Sequence, residues 1–131
     1  MPGKNCGAVG MYINTAVVNG IAVAIIESEE KLLQDVQSAL DFIVQVKYAS
    51  GCDRVVLFKE AVCEAFFILS SGLAGEILQK FVNYQVKLAV VGEYSNYTSK
   101  PLKDFIWESN KGKDVFFVAT QQEAFEKLCR A

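Results

Sequence analysis

Three short runs are apolar at nearly every position: Arg54–Phe58 (RVVLF), residues 87–92 (KLAVVG) and residues 114–119 (DVFFVA). A strand with one wet face alternates apolar and polar residues, so unbroken runs of this length belong to strands covered on both faces. Each run is followed by a stretch with helical spacing. Leu73, Ala74, Ile77, Leu78, Phe81 and Val82 form the clearest stripe in the chain. Thr98, Ser99 and Pro101 open the next helix, Leu102, Phe105 and Ile106 supply its inner face, and Gly112 ends it. Thr120 and Glu123 have the spacing of a capping box, each positioned to satisfy the other's free N–H, and Phe125 and Leu128 anchor the last helix. Covered strands alternating with amphipathic helices call for right-handed crossovers and a parallel sheet, and exclude all-β and all-helical architectures.

The preceding residues add a hairpin. Met11–Val18 (MYINTAVV) and residues 21–27 (IAVAIIE) are separated by Asn19 and Gly20, a pair suited to the positive φ angles of a type I′ turn. Ser28, followed by Glu29 and Glu30, reads as a helix start, with Leu33, Val36, Leu40 and Ile43 as the stripe and Gly51 as the stop. Residues 1–10 (MPGKNCGAVG) lack periodicity and are expected to be a flexible lead-in, with Met11 as a candidate natural start. The expected architecture is one α/β domain over residues 11–131, in the order ββαβαβαβα, on a mixed, mostly parallel sheet. No internal repeat or linker divides it.

Composition closes several functional classes. The net charge is −2 and the basic residues are scattered, where a nucleic-acid surface concentrates them. The absence of histidine removes histidine bases, histidine-assisted nucleophiles and histidine metal ligands. Cys6, Cys52, Cys63 and Cys129 lie far apart with no C-x-x-C pair, which predicts reduced thiols in place of a zinc site. Cys63 is the thiol to watch for reactivity. No apolar stretch approaches the roughly 18 residues of a membrane span, and the start does not read as a signal peptide. A cytoplasmic protein without cofactor or metal is expected.

Two loops concentrate chemistry, at the carboxyl ends of strands where α/β proteins usually meet ligands. In residues 59–75, Ser70, Ser71 and Gly72 sit where a helix begins. A hydroxyl there serves as a cap, and a phosphate there would be stabilised by the same N–H groups. Gly72 and Gly75 would allow close packing. In residues 92–101, Glu93, Tyr94, Ser95, Asn96, Tyr97, Thr98, Ser99 and Lys100 crowd hydrogen-bonding groups together, and Lys100 beside a helix start could hold an anion. Helix capping and an ordinary polar turn account for the same residues. The segment 108–112 reads as a helix end with Lys111 near the negative pole. Gly72 and Gly75 match neither a dinucleotide fingerprint nor a P-loop, and Glu60 and Glu64 read as exposed turn residues.

The ββαβαβαβα order with SSGLAGEIL opening a helix resembles the STAS domains of bacterial anti-sigma-factor antagonists. In those proteins a D-S-S-G-L-type segment starts a helix, and phosphorylation of its serine by a partner kinase abolishes binding. Ser70, Ser71, Gly72 and Leu73 match that segment and Ser71 takes the phosphorylated place. Leu69 stands where those proteins carry aspartate, and the connection from Arg54–Phe58 is longer. The stretch from about Ser28 to Ala131, with VQSALD, GCDRVV, GLAGEILQKFVNY, YTSKPLKDFIWESN and VFFV, also resembles an uncharacterised bacterial family, domain of unknown function 4180. The resemblance implies a compact STAS-like domain and supplies no activity. Two functions are therefore expected to compete. One is a protein-binding regulatory module switched at Ser71 or Ser70, with Gly72, Leu73 and Gly75 on its surface. The other is a sensor of a small anion, such as a nucleotide or phosphate, held in one pocket that the loop of residues 94–100 and the serine loop would form at the sheet edge, with Glu93, Ser95, Tyr97, Ser99 and Lys100 lining it. Enzymatic activity ranks last, and a homodimer through a helix face or the hairpin edge is conceivable.

Overall fold

In a computed structural model, residues 5–8 and 11–130 are described. Six strands form one sheet in the order of the chain: β1 (Asn5–Ala8), β2 (Met11–Val18), β3 (Ile21–Ser28), β4 (Arg54–Phe58), β5 (Lys87–Val91) and β6 (Val115–Val118). The β1–β2 and β2–β3 pairings are antiparallel and the remaining three are parallel. The hairpin turn is as expected: Val18 faces Ile21, and Asn19 and Gly20 both take positive φ, 53° and 79°. Residues 5–8, expected to belong to a flexible lead-in, instead extend the sheet by pairing with β2. The rest of that lead-in, residues 1–4 and 9–10, lies outside the described residues, as does Ala131.

Helices α1 (Val36–Ser50), α2 (Leu73–Asn83) and α3 (Lys100–Lys111) each connect neighbouring parallel strands. Right-handed crossovers that always step in the same direction place their helices on the same face. The larger core accordingly joins Met11, Ile13, Ala24, Ile26, Leu57, Val90 and Phe117 of the sheet to Phe42, Ile43, Ile77, Phe81 and Leu102 of those helices. The opposite face carries α4 (Gln121–Arg130), whose Ala124 and Leu128 pack on Val56, Ala89, Val91, Phe116 and Val118.

Helix α1 begins later than Ser28. Asp35 is the cap: its Oδ1 accepts the Ser38 amide at 2.7 Å, while its own amide donates to Ser38 Oγ at 3.0 Å. The residues before it are claimed by the chain leaving β4. Leu32 and Leu33 donate to the Ala61 carbonyl at 2.6 and 3.1 Å, and Cys63 donates to the Leu33 carbonyl at 3.1 Å. Leu33 is fully buried in that extended bridge to Val62, not on the helix. The Ser28 hydroxyl donates to the Glu30 carbonyl and accepts the Glu30 amide, closing a tight turn. The buried stripe of α1 is thus Ala39, Phe42, Ile43 and Val46, rotated from the expected one. Gly51 ends the helix at φ 70°, as expected. On α2, Val82 is exposed while the rest of its predicted stripe is buried or half-buried.

Two side chains finish the C-terminal part. Asn110, at the end of α3, donates to the Phe117 carbonyl at 3.0 Å and accepts the Phe117 amide at 2.7 Å. Its amide takes the place a seventh strand would occupy on the open edge of β6, which shields that edge from pairing with another chain. Thr120 Oγ1 accepts the Glu123 amide at 3.1 Å, but the Glu123 carboxylate reaches the Ala119 amide at 3.2 Å, one residue short of the expected box.

Candidate functional site

The serine segment closes a connection built of three 3-10 turns, Lys59–Ala61, Glu64–Phe67 and Leu69–Ser71. Gly72 joins the last turn to α2 at φ 76°, a left-handed conformation that explains glycine at this position. Ser71 is exposed, yet its hydroxyl is committed in both directions. It donates to the Ala65 carbonyl at 2.9 Å and accepts the Leu73 amide, the first of α2, at 3.2 Å. Ser70 is exposed and its hydroxyl engages no other described residue. Gly75 does not serve close packing: a side-chain carbon there would meet nothing within 4 Å. It lines an open groove of about 550 Å³ together with Val36, Glu76, Gln79 and Lys80. Ile68, just before the serines, is 55% exposed.

The second loop turns its two tyrosines inward. Tyr94 donates its hydroxyl to the Val90 carbonyl at 2.8 Å, and burial pushes its phenol far above the usual tyrosine range. The Tyr97 hydroxyl is buried and has no hydrogen-bond partner among the described residues. The polar members point elsewhere. Glu93 accepts the Ser95 amide at 2.8 Å, and hydrogen bonds from Ser95 hold its carboxyl below the ordinary glutamate value. Ser99 caps α3 by accepting the Leu102 amide at 3.4 Å. Lys100 pairs with Asp104 one turn along α3 at 2.8 Å, with both side chains mostly in solvent. That places Lys100 in a surface pair worth a few tenths of a kcal/mol, not over a pocket.

The residue that joins the two loops is Phe67. Its ring stacks on Tyr97 with centroids 5.3 Å apart and an interplanar angle of 22°, and also meets Tyr94 at 6.1 Å and Phe117 at 6.3 Å. Lys59 lies over the same group, its ammonium 5.4 Å from the Phe67 centroid and 4.8 Å from that of Tyr97. Among the described residues it makes no ion pair. The Lys59 stem runs against Gly92, where a side-chain carbon would come within 2.5 Å of Lys59 Cβ. Lys59 and Phe67 were not singled out from sequence. The available signal was Gly92 at the end of β5, because the parallel pairing of Phe58 with Val91 puts the next residues, Lys59 and Gly92, side by side.

The two loops therefore meet through packed rings, which occupy the space a shared pocket would need. The sheet topology points the same way. A crevice forms at the carboxyl edge of an α/β sheet where the strand order reverses and successive helices diverge to opposite faces. Here the parallel strands run in simple succession. Cys63 is half-buried with its thiol 3.7 Å from the Gln34 carbonyl, and Cys52 is buried. No group of three or more acidic or cysteine side chains among the described residues could hold a metal ion. No described helix is long and apolar enough to cross a membrane.

The fold defines a mixed α/β domain wound in one direction, with a serine-bearing helix start beside an aromatic strand-edge cluster. The chain belongs to the family described as Domain of unknown function (DUF4180), whose sequence profile matches residues 18–128. Among curated proteins none matches the chain. Among solved structures, it is similar to a candidate anti-sigma factor antagonist from Thermotoga maritima. That similarity has 18% sequence identity and a TM-score of 0.46, covering 90% of this chain and 95% of the other.

Proposed function

We propose that this chain is a non-enzymatic regulatory domain that docks a protein partner on the surface at the start of α2, and that a phosphate on the serine pair weakens the docking. The observation that carries the reading is Gly75. A helical glycine costs about 0.5–1 kcal/mol relative to alanine, and here nothing within 4 Å in the chain requires the missing side chain. Its use lies outside the chain: it opens the groove beside Val36, Gln79 and Lys80 to an approaching partner. Exposed Ile68, Ser70 and Ser71 border the same helix start, and the Ser70 to Leu73 segment resembles the phosphorylated segment of anti-sigma-factor antagonists. A phosphoserine adds about −2 charge, which a docked partner surface would have to desolvate.

The test has two arms. Phosphopeptide mass spectrometry on protein taken from its own cells should find phosphate on Ser70 or Ser71. A partner recovered by crosslinking to the wild-type chain, then purified, should bind Ser71→Asp and Gly75→Gln at least about tenfold more weakly, a loss of roughly 1.4 kcal/mol. Serines unmodified across growth and stress conditions, together with unchanged partner affinity in both variants, would overturn the reading. A small-anion sensor is the less favoured alternative, since Lys100 is paired outward and rings fill the junction of the loops.

A further inference from the structure

Resting on that reading, we propose that the Ser71 hydroxyl is a latch that holds the Phe67–Tyr97 ring stack closed, so that phosphorylation at Ser71 opens the stack and releases Lys59 to solvent. Phosphorylation of Ser70 adds the same charge without opening it. The serine pair and the tyrosine loop are thereby one device, and a partner reads the modification on two surfaces at once.

The geometry is short and continuous. Ser71 Oγ ties the Ala65 carbonyl to the first amide of α2. Ala65 belongs to the turn Glu64–Phe67, and two residues further Phe67 stacks on Tyr97. Tyr97 in turn supports Lys59, whose ammonium rests on the faces of both rings. A kinase would transfer the γ-phosphoryl group of a nucleoside triphosphate. The Oγ–phosphorus bond forms, the bond from phosphorus to the bridging oxygen breaks, the hydroxyl proton leaves, and the nucleoside diphosphate departs. The modified Oγ has no proton to donate, so the bond to Ala65 is lost. The new phosphate oxygens are acceptors facing a carbonyl, and they are drawn instead toward the free amides of the α2 N-terminus. One tie between the turn and the helix is gone, leaving the amide of Ile68 as the Ala65 carbonyl's remaining donor, at 3.2 Å. The ring of Phe67 is freed to shift from Tyr97, and Lys59, which makes no ion pair among the described residues although its charge reaches the Glu93 carboxylate, loses both ring faces. Ser70, whose hydroxyl engages no other described residue, has no such connection.

The experiment uses the purified full chain and no partner. Limiting acetic anhydride labels lysines according to exposure, and peptide mass spectrometry gives the rate at Lys59 relative to exposed Lys103 in the same sample. Ser71→Ala and Ser71→Asp should raise the Lys59 rate by about threefold or more, as expected for local opening. Ser71→Thr, which keeps a donor, and Ser70→Asp should leave the rate at the wild-type value. An unchanged Lys59 rate in Ser71→Ala, or an equal rise in Ser70→Asp and Ser71→Asp, would overturn the latch. Such a result leaves the docking reading standing, whereas absence of phosphate in cells removes that reading and leaves the latch measurable.

Discussion

Replacing Tyr97 with phenylalanine deletes one oxygen atom and nothing else. That oxygen is buried and has no hydrogen-bond partner among the described residues, although the ring that carries it is packed against Phe67 and Tyr94. Taking a hydroxyl out of water without replacing its bonds costs about 1–3 kcal/mol, and phenylalanine keeps the ring contacts while removing that penalty. Tyr97→Phe should therefore stabilise the fold by about 1 kcal/mol, against the usual direction of a core substitution. For a chain of this length the melting temperature should rise by roughly 3–5 °C. In urea, with a slope of about 1–3 kcal/mol per molar, the midpoint should move up by roughly 0.5 M with the slope unchanged. Tyr94→Phe is the internal control. Its hydroxyl is bonded to the Val90 carbonyl at 2.8 Å, so its loss should destabilise by about 0.5–1.5 kcal/mol. If both substitutions destabilise equally, the Tyr97 hydroxyl is satisfied in solution, by an ordered water or a bound molecule, and the reasoning fails.

The other expectations are simpler. Asn110→Ala strips both bonds from the backbone of Phe117 and should cost about 1–3 kcal/mol while opening the β6 edge; urea unfolding and size-exclusion chromatography would show it, and an unaltered midpoint would count against the edge cap. Gly92→Ala drives a methyl into the Lys59 stem and should destabilise by about 1–3 kcal/mol. Gly75→Ala, which meets nothing, should stabilise by about 0.5 kcal/mol, and the same denaturation series compares the two. The Glu93 carboxyl is lowered chiefly by the Ser95 side chain, so its contribution is full above the ordinary value of 4.5 and is lost as the pH falls through the lower folded value. In an NMR titration Ser95→Ala should move Glu93 back toward 4.5, and an unmoved titration would remove Ser95 as the cause.

Where local signals were unopposed, sequence and structure agree. The unbroken apolar runs became the strands buried on both faces, Asn19 and Gly20 made the turn, Gly51 and Ser99 marked helix ends as their chemistry requires, and Gly112 follows the end of α3 in extended backbone. The misreadings share one cause, a tertiary competitor. Ser28 is a good cap, but the backbone after it pairs with the connection leaving β4, so the helix waits for Asp35, whose bonds with Ser38 are equally local. The loop of residues 92–101 read as polar because its composition is polar. Composition does not say which side chains turn inward, and the rings of Phe67 and Phe117 gave the two tyrosines an apolar surface to cover. Lys59 was overlooked for the same reason: its neighbours come from β5 and from Phe67, and neither is adjacent in the chain.

The direction of winding then bears on function. An α/β sheet that reverses its strand order makes a crevice without effort, and polar loops around it readily become a ligand site. A sheet that steps one way offers a row of crossover helices as its main outer surface. Recognition on such a domain falls to helix faces and helix starts, where exposed apolar atoms, a missing side chain and a modifiable hydroxyl can act together. In this chain exposed Ile68, Gly75 and the exposed Ser71 lie within eight residues. Glu93 and Ser99 of the second loop are already bonded to neighbouring backbone, and Lys100 is paired along α3. A ligand competing for them would have to break native bonds first, whereas the start of α2 presents exposed Ile68, an open groove and Ser70, whose hydroxyl engages no other described residue. That difference, more than the identity of any single residue, is why docking outranks sensing here.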